Sequence, residues 1–409
     1  MKLEELKNKK ILILGFGIEG KSTMRFLKHH FPHKKIDIAD QKNDKNYLKK
    51  QGKYDLVIKT PGISKRFVTA PHTTATNIFF ANTKGTVIGV TGSKGKSTTA
   101  SLVYQILKAG GYPIHLVGNI GNPALEELLK SNTTKDIYVY ELSSYQLEDI
   151  NYSPHISVII NLFPDHMDYH GGLKRYWNAK AKIISRAKNN DYFVYNSKYQ
   201  ELRGLAQKTK AKSIPIISTL PFSKSIIPLL GAHNEENVKI AITVSRLFNI
   251  PIAKIKTAIM NFKSLPHRLE FVGKYHNIRF YDDAISTTPE STIKAMESLP
   301  RISTILLGGK NRGYQFKDLA KAIVKHKIPN IVLFHETGEK IYDELKKLKI
   351  QMPNILKTKS MRDAVQFSYA NSPKNSICLL STASPSYILW KNFEEKGNEF
   401  QKFVRKLSK

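Results

Sequence analysis

The sequence has 409 residues, and its 65 lysines and arginines against 33 aspartates and glutamates give a formal net charge of +32. Hydrophobic residues make up 41% of the chain, which is enough for packed cores and excludes a disordered protein. A single cysteine excludes a disulfide framework and a four-cysteine zinc site. No apolar run approaches the roughly 20 residues of a membrane span, and the N-terminal segment lacks the apolar stretch of a signal peptide. We therefore expect a cytoplasmic protein without membrane insertion.

The charge surplus indicates negatively charged partners, either a nucleic acid or small acidic substrates. Lysine supplies 53 of the 65 bases and arginine only 12, whereas specific phosphate and base recognition favours arginine. The basic residues are also dispersed, and no basic module interleaved with aromatic residues is present. A nucleotide-binding protein that engages nucleic acid is thus the weaker alternative, and we expect small-molecule substrates and a monomer.

Short apolar strands alternate with amphipathic helices along the chain, which predicts parallel α/β layers. The first part predicts strands at Lys10–Leu14, Ile36–Ala39 and Leu56–Lys59 and a helix at Gly20–His29. The middle part predicts strands at Thr86–Val90, Ile137–Leu142 and Ile156–Asn161 and helices at Ser97–Ala109, Tyr176–Ala187 and Asn234–Phe248. The last part predicts strands at Ile302–Leu307, Ile331–Phe334 and Ser376–Leu380 and helices near 315–325, 337–347, 360–370 and 388–407. Breaks near residue 85 and residues 264–266 divide the chain into three predicted α/β domains, 1–85, 86–265 and 266–409.

A glycine-rich motif, Gly15, Gly17 and Gly20, follows the first strand and opens a helix, and Asp40 ends the next strand. This is the dinucleotide-binding pattern in its usual context. Its glycines allow a tight turn, and the helix N-terminus offers free N–H groups to a diphosphate. The motif alone leaves NAD(P) or FAD and another nucleotide equally open.

The sequence between the strand Thr86–Val90 and the next helix predicts a phosphate-binding loop. Backbone N–H groups of such loops surround phosphates, a lysine neutralises developing charge, and a hydroxyl suits Mg²⁺. The usual pattern has glycine where this chain has Val90, so the loop is a shorter form. Its residues are Gly92, Ser93, Lys94, Gly95, Lys96, Ser97 and Thr98.

Acidic residues and histidines follow two further strands of the middle part. Glu141 follows the strand residues Ile137–Tyr140 and is a candidate Mg²⁺ ligand, because ligands bind beyond the carboxyl ends of parallel strands. Asp165, His166, Asp168 and His170 follow the next strand. A zinc site at this string is a minor alternative, since one crowded loop lacks spaced partners, and a polar turn is another.

Twelve segments in order along the chain resemble the Mur ligases, the ATP-dependent amino-acid-adding enzymes of peptidoglycan precursor synthesis. They are Gly15–Thr23, Thr60–Ile63, Val90–Thr98, Gly118–Pro123, Glu141–Glu148, Asn161–Gly172, Tyr176–Ile183, Gly231–Asn237, His267–Glu270, Tyr281–Thr292, Leu306–Gly313 and Leu379–Phe400. The match implies an N-terminal Rossmann-like UDP-binding domain, a central P-loop ATPase domain with a parallel sheet, and a C-terminal Rossmann-like domain for the amino acid. It also implies that UDP occupies the first motif instead of NAD.

Within this family the chain looks like the branch that adds D-glutamate to UDP-N-acetylmuramoyl-L-alanine through an acyl phosphate, with ATP as co-substrate and two Mg²⁺ ions. The resemblance implies catalytic roles for Lys96, Glu141, His166 and Lys180, with Ser97, Glu141, His166 and a carbamate on Lys180 as metal ligands. It places Gly15, Gly17, Gly20, Asp40, Thr60, Gly62, Asn119 and Ser143 at the UDP substrate. It adds Asn234, Asn237, Arg268 and Asp283 to the ATP-binding loop residues Gly92–Thr98. Thr287, Arg312, Ser386 and Phe393 correspond to amino-acid-binding positions.

The amino-acid site departs from the family pattern. Ile285 stands where the family usually has lysine, and Arg312 replaces a second lysine. Arginine keeps the charge and can bind a carboxylate with two parallel hydrogen bonds, and Lys310 lies nearby in sequence. A dicarboxylic amino acid is therefore expected. L-Glutamate or another amino acid stays open, while the glycine motif argues against a folate substrate.

Overall fold

The computed structural model describes residues 1–164 and 167–408, and for residues 167 and 168 it describes only the backbone. The chain divides into two compact units. The first unit comprises Met1–Ile227 and His233–Phe262, and the second comprises Pro228–Ala232 and Lys263–Lys409. No helix in these described ranges is both long and apolar enough to cross a membrane.

The first unit begins with a four-stranded parallel sheet of order β2-β1-β3-β4. Its strands are Ile11–Leu14 (β1), Ile36–Ala39 (β2), Leu56–Lys59 (β3) and His72–Thr74 (β4), and its helices are Ile18–His30 (α1) and Ala75–Asn82 (α2). Strand β1 is apolar and buried throughout, as expected of a strand covered on both faces.

A six-stranded parallel sheet of order β10-β9-β8-β5-β7-β6 completes the first unit. Its strands are Thr86–Thr91 (β5), Ile114–Gly118 (β6), Ile137–Glu141 (β7), Ile156–Ile159 (β8), Tyr192–Tyr195 (β9) and Lys212–Pro215 (β10). Its helices are Lys96–Ala109 (α3), Ala124–Lys130 (α4), Ser144–Leu147 (α5), Met167–His170 (α6), Leu173–Ala181 (α7), Gln200–Lys208 (α8), Ala232–Arg246 (α9) and Ile252–Met260 (α10).

One hydrophobic core serves both sheets of the first unit. Phe79 of α2 packs edge-to-face against Tyr138 and Tyr140 of β7, with ring centroids 5.2 Å apart in each pair. Buried aromatic rings remove large apolar areas from water, so this contact joins the two sheets firmly. The shared core explains why residues on both sides of the predicted break near residue 85 form one compact unit.

The second unit contains a six-stranded sheet of order β11-β12-β16-β13-β14-β15, in which only the edge pair β11–β12 is antiparallel. Its strands are Glu270–Tyr275 (β11), Ile278–Asp282 (β12), Ile302–Gly308 (β13), Asn330–Phe334 (β14), Asn354–Thr358 (β15) and Ile377–Leu380 (β16). Its helices are Pro289–Glu297 (α11), Lys317–Lys325 (α12), Thr337–Lys347 (α13), Met361–Asn371 (α14) and Phe393–Lys406 (α15).

The predicted α/β class is confirmed, and each predicted domain range contains one of the three sheets. The exact three-domain bounds stay a prediction. The hairpin β11–β12 departs from the parallel pattern; His276 and Asn277 connect its strands with φ of 48° and 63°, the left-handed geometry of a tight hairpin turn. The helix predicted from residue 388 begins only at Phe393, because the Asn392 side chain accepts a hydrogen bond from Glu395 N and caps it there.

Candidate active site

The phosphate-binding loop connects β5 to α3 in the first unit. Gly92 and Gly95 have φ of 155° and 86°, values that residues other than glycine rarely adopt. A Cβ atom on Gly95 would lie 2.5 Å from Asn237 Oδ1, so helix α9 also requires glycine there. The loop thus has the backbone needed to surround a phosphate group, and Ser97 and Thr98 follow in the first turn of α3.

Asn161, which follows strand β8, holds the loop in place. Its carbonyl accepts from Ser93 N at 3.1 Å, and its Oδ1 accepts from Lys94 N at 2.9 Å. Its Nδ2 donates to the Lys94 carbonyl at 3.1 Å. Three hydrogen bonds to one residue therefore hold the loop backbone in place.

Two lysines meet at one carbonyl group of the loop. Lys96 Nζ donates to the carbonyls of Gly92 and Ser93 at 3.0 and 3.1 Å, and Lys180 Nζ donates to Gly92 O at 2.8 Å. Lys180 is only 1% exposed, and its ammonium lies 4.9 Å from the ring centroid of Tyr176. The Tyr176 hydroxyl donates to Ser93 Oγ at 3.0 Å. The structure therefore brings two of the predicted catalytic residues together at the loop.

Glu141 lies on the strand next to the loop. In the pairing of β5 with β7, Glu141 stands opposite Val90, two residues before Gly92, and it is 2% exposed. Its carbonyl accepts from Asn119 N at 3.3 Å. A buried carboxylate on the strand beside the loop that carries Ser97 is an oxygen-donor set of the kind that Mg²⁺ prefers. The residues present therefore fit a magnesium ion.

The string from Asp165 to His170 is only partly described. Asp165 and His166 lie outside the described residues, and so does the Asp168 side chain. The roles of His166 and the zinc alternative consequently stay predictions. His170 is buried, and its Nε2 lies 3.0 Å from Ser144 Oγ.

The predicted adenine-side residues Asn234 and Asn237 occupy the first turns of α9, and both are buried. Asn237 Nδ2 donates to Asn234 Oδ1 at 2.9 Å, and Asn237 Oδ1 accepts from Thr99 Oγ1 at 3.2 Å. These contacts connect α9 to α3 directly behind the phosphate-binding loop.

The glycine motif at the N-terminus forms a second candidate site in the first unit. Gly15 has a φ of 90°, and a Cβ atom on it would lie 2.0 Å from Thr60 Oγ1. Asp40 Oδ2 accepts from Phe16 N at 2.6 Å and its Oδ1 accepts from Lys42 N at 2.9 Å. These backbone hydrogen bonds, first that of Lys42, hold the pKa of Asp40 below its usual value. Asp40 therefore shapes the glycine loop.

A cavity of about 350 Å³ opens at this loop. The predicted UDP-side residues that line it are Gly15, Gly17, Gly20, Asp40, Thr60 and Gly62. Gly17 is also the N-cap residue of α1, so the free N–H groups of that helix lie at the cavity. An anionic ligand fits such a site.

Ser143 and Asn119, also predicted at the UDP substrate, lie outside the lining of this cavity. Ser143 is the N-cap residue of α5, where its Oγ accepts from Gln146 N at 3.3 Å and donates to Gln146 Oε1 at 3.0 Å. Gln146 Nε2 in turn donates to Glu19 of α1 at 3.1 Å. Burial raises the pKa of Glu19 to about 7. Asn119 is exposed at the end of β6.

In the second unit, the backbone around Arg268 is unusual. His267 and Leu269 on either side have φ of 60° and 45°, in the left-handed region that costs energy for residues other than glycine. Leu269 N donates to Asp283 Oδ1 at 3.2 Å, and Ser381 Oγ donates to Asp283 Oδ2 at 2.8 Å. Burial raises the pKa of Asp283 to about 6. Asp283 therefore contacts the backbone next to Arg268, whose charge acts to lower the raised pKa. The roles of both residues at ATP stay predictions.

The candidate amino-acid site lies where loops follow β13 and β16, at the carboxyl ends of neighbouring parallel strands. Lys310 N donates to Pro385 O at 2.8 Å and ties the two loops together. The Arg312 guanidinium lies 5.5 Å from the ring centroid of Tyr387. Ser386 is 3% exposed, and its Oγ has no hydrogen-bond partner within the described part of the chain. A buried hydroxyl of this kind can donate to the carboxylate of a ligand.

Thr287 and Phe393 occupy other positions of the second unit. Thr287 is half-buried and directly precedes Thr288, whose side chain caps α11. Phe393 begins α15, and its ring centroid lies 6.0 Å from that of His267. Ile285, at the position of the missing lysine, is half-buried, and its N–H donates to His267 O at 3.2 Å.

Known proteins resemble this chain over nearly its whole length. Residues 90–226 match the model of the Mur ligase middle domain. The UDP-N-acetylmuramoylalanine--D-glutamate ligase of Ligilactobacillus salivarius is 31% identical over 99% of this chain and 98% of its own length. The ligase of the same name from Streptococcus agalactiae serotype III is 32% identical over 96% of both chains. The chain belongs to the Mur ligase family.

Solved structures show the same fold at lower identity. The UDP-N-acetylmuramate-alanine ligase MurC from Thermotoga maritima superposes on this Mur ligase with a TM-score of 0.63 and 18% identity, over 98% of this chain and 99% of that one. MurF from the same organism, solved in complex with ADP, gives a TM-score of 0.61 and 15% identity, over 86% of this chain and 90% of that one. Together with the full-length relatives, the fold identifies this chain as an ATP-dependent enzyme of the ligase class.

Sequence reasoning did not assign a role to three residues that shape this Mur ligase's candidate sites. Asn161 and Tyr176 lie inside quoted family motifs, and their contacts with the phosphate-binding loop appear only in the folded chain. Lys396 of α15 is the third. Its side chain is completely buried, and its Nζ donates to Thr382 Oγ1 at 2.5 Å. The signal available in sequence was a lysine on the same face of α15 as Phe400 and Val404.

We expect Lys396 to make the stability of the Mur ligase depend on pH. Burial lowers the pKa of its ammonium to about 7, although the neighbouring Asp282 and Asp283 act to raise it. Between pH 7 and the ordinary lysine pKa of 10.5 the unfolded chain holds the proton and the folded chain releases it, so this residue's contribution rises with pH. Lys396→Met should therefore gain in melting temperature relative to wild type at pH 6.5 and lose that gain, by about 3 °C or more, at pH 9. A difference that stays constant between the two pH values would contradict the buried, proton-releasing state.

Proposed function

We propose that this Mur ligase joins D-glutamate to UDP-N-acetylmuramoyl-L-alanine while converting ATP to ADP and phosphate, a step of peptidoglycan precursor synthesis in the cytoplasm. The observation that carries the proposal is the full-length match, at 30–32% identity, to relatives named as this D-glutamate ligase. The phosphate-binding loop supports the use of ATP, and the cavity at the glycine motif supports a nucleotide diphosphate.

The chemistry follows from the weak reactivity of a carboxylate. An oxygen of the L-alanine carboxylate attacks the γ-phosphorus of ATP, the bond from that phosphorus to the bridging oxygen breaks, and ADP leaves. The glutamate amine then attacks the carbonyl carbon of the acyl phosphate, loses a proton, and displaces phosphate. Two anions must approach in the first step, so positive charge at the loop lowers the barrier.

Lys96 provides positive charge at this point, and Lys180 lies beside it at the Gly92 carbonyl. Lys96 at the start of α3 lies within reach of the β- and γ-phosphates of a nucleotide held by the loop. We propose that Lys180 carries a carbamate and that Ser97, Glu141, His166 and this carbamate hold two Mg²⁺ ions. Magnesium supplies neutralisation of the phosphate charge when bound. The Glu141 carboxylate supplies oxygen donors beside the loop. Tyr176 contacts both Ser93 and the Lys180 side chain and holds them in position.

The UDP portion of the substrate is proposed to bind at the glycine motif. Its diphosphate would lie at the N-terminus of α1, beside Gly15, Gly17 and Gly20, and the Thr60–Gly62 turn would form the opposite wall. Asn119 and Ser143 are proposed to face the muramoyl portion. ATP binding is proposed to involve Asn234, Asn237, Arg268 and Asp283.

Glutamate is proposed to bind at the loops after β13 and β16. Arg312 offers a planar pair of donors to one carboxylate. The Tyr387 ring stabilises the guanidinium through a cation–π contact. The buried Ser386 hydroxyl offers a further donor, and Thr287 and Phe393 complete the proposed set. The replacement of a family lysine by Ile285 favours testing L-glutamate beside the D-isomer.

Phosphate release from the purified full chain tests the proposal. ATP, Mg²⁺ and UDP-N-acetylmuramoyl-L-alanine are offered with D-glutamate, L-glutamate or no amino acid. We expect release that depends on D-glutamate. The absence of any amino-acid-dependent release would overturn the ligase proposal, and release with L-glutamate alone would overturn the stereochemical assignment. Borohydride, which reduces acyl phosphates to alcohols, should trap the intermediate when glutamate is omitted.

Removing Arg312 should weaken glutamate binding specifically. Loss of a charge-assisted hydrogen bond predicts that Arg312→Ala raises the KM for glutamate about tenfold to a hundredfold and leaves the KM for ATP unchanged. Arg312→Lys should fall between, because the charge remains and the two-donor geometry is lost. Arg362→Ala, an exposed arginine of α14, is the matched control. An effect of Arg312→Ala on ATP alone would refute the role.

A further inference from the structure

The turn Thr60–Ile63, which follows β3, is the common wall of two adjoining cavities. The first is the cavity of about 350 Å³ at the glycine motif, and the second has a volume of about 380 Å³. Gly62 and Ile63 line both cavities. Any movement of this turn therefore changes the shape of both at once.

The carbonyl groups of the turn are held from behind by two side chains. Lys59 Nζ donates to Ile63 O at 3.0 Å, and the Tyr169 hydroxyl lies 3.1 Å from the carbonyls of both Pro61 and Ile63. Tyr169 Oη also lies 3.3 Å from Glu148 Oε2. The Tyr169 hydroxyl carries one proton and donates it to one of these three acceptors at a time.

Lys59 is fixed by a buried ion pair with Asp149, which follows α5 in the other half of the first unit. The Lys59 side chain is 0% exposed and the Asp149 side chain 3%, and Nζ lies 2.7 Å from Oδ2. His72 and the largely exposed Lys65 also face this carboxylate, at 3.4 and 3.3 Å. Asn77 Nδ2 donates to the Asp149 carbonyl at 2.8 Å and fixes its backbone.

The Asp149 carboxyl remains ionised inside the unit. Burial opposes the ionised form of Asp149, but the hydrogen bond from His72 and the charge of Lys59 outweigh it and hold the pKa of Asp149 below its usual value. Replacing a buried ion pair by apolar residues of similar size is often neutral or even stabilising. Because stability alone does not explain the pair, its position behind the cavity wall indicates that it holds that wall in place.

We infer that Lys59, Asp149 and Tyr169 are positioning residues for the uridine-nucleotide substrate, because they anchor the Thr60–Ile63 turn to the segments that follow strands β7 and β8. The inference rests on the proposed function for the identity of that ligand. Neither Lys59 nor Asp149 lines either cavity, so both act through the turn. Tyr169 lines the second cavity and also holds the turn.

Binding of UDP to the full chain tests this role without relying on catalysis. Tyr169→Phe removes a single hydroxyl and should raise the Kd for UDP, measured by calorimetry, about threefold to tenfold. The double variant Lys59→Met with Asp149→Leu removes the pair without leaving a buried charge alone, so it should fold. It should raise the Kd for UDP by about tenfold and raise the KM for the nucleotide sugar equally, with the KM for ATP unchanged.

Tyr54→Phe provides the matched control. Its hydroxyl donates to Asp37 at 3.1 Å in the same unit and lines neither cavity, so UDP binding should not change. A double variant whose Kd for UDP stays within about twofold of wild type would overturn the positioning role. Equal losses for UDP and ATP would also overturn it, since they indicate general damage. Wild-type protein that shows no amino-acid-dependent phosphate release would instead overturn the proposed function.

Discussion

Replacing Lys180 by alanine is expected to lower the ligation rate at least about a hundredfold, and added formate or acetate is expected to restore part of it. Loss even of groups that only support a metal ligand costs about 10–100-fold, and the proposed carbamate is itself a ligand. The Lys180 amine is 1% exposed and lies beside the phosphate-binding loop, 2.8 Å from Gly92 O. A small carboxylic acid that enters the space left by the side chain can replace the carbamate oxygens.

The matched control is Lys174→Ala, an exposed lysine of the same helix, whose activity should equal that of wild type. Rates are measured as phosphate release over a series of formate concentrations. Normal activity of Lys180→Ala would eliminate the carbamate. A low rate that formate does not raise would limit Lys180 to holding the loop through Gly92.

Lys96→Ala is expected to lower kcat by about a hundredfold to a thousandfold, the usual cost of removing one preorganised donor to developing charge. Lys96 Nζ already lies at the mouth of the loop, in contact with the carbonyls of Gly92 and Ser93. The effect should fall on the phosphoryl step, because its transition state spreads charge over the oxygens that this amine faces. The KM for glutamate should not change.

Single-turnover ADP formation measures this step directly. Lys108→Ala, at the exposed far end of α3, is the control and should retain full activity. If Lys96→Ala formed ADP at the wild-type rate, the proposed role of Lys96 in the transfer would be excluded.

The local motifs could be predicted from the sequence because each is a short segment whose conformation is set by its own residues. The phosphate-binding loop and the glycine motif both occur between the expected strand and helix. The position of Glu141 beside the loop was also predictable, since the ends of neighbouring parallel strands lie at one edge of a sheet. By contrast, the β11–β12 hairpin was missed because its turn, His276–Asn277, lacks the glycine that usually signals one.

Contacts between distant segments were decided only by the folded chain. Arg312 and Tyr387 come from different strand–helix connections, and nothing in either segment alone indicates that their side chains meet. The Lys59–Asp149 pair likewise depends on how two sheets share one core. From the sequence alone, a lysine in a strand is expected at an exposed edge, and only the packing of the folded chain shows that it is buried.

The sequence by itself therefore determined the α/β class, the family and the residues of each motif, because glycine geometry, strand ends and helix starts are local properties of the chain. The tertiary structure decided which side chains support those motifs from behind. Asn161 at the phosphate-binding loop, Lys59 and Asp149 behind the Thr60–Ile63 turn, and Lys396 beneath the amino-acid loops all act through contacts with distant segments. Burial and pairing of a charge depend on the whole packed core, which no short segment encodes.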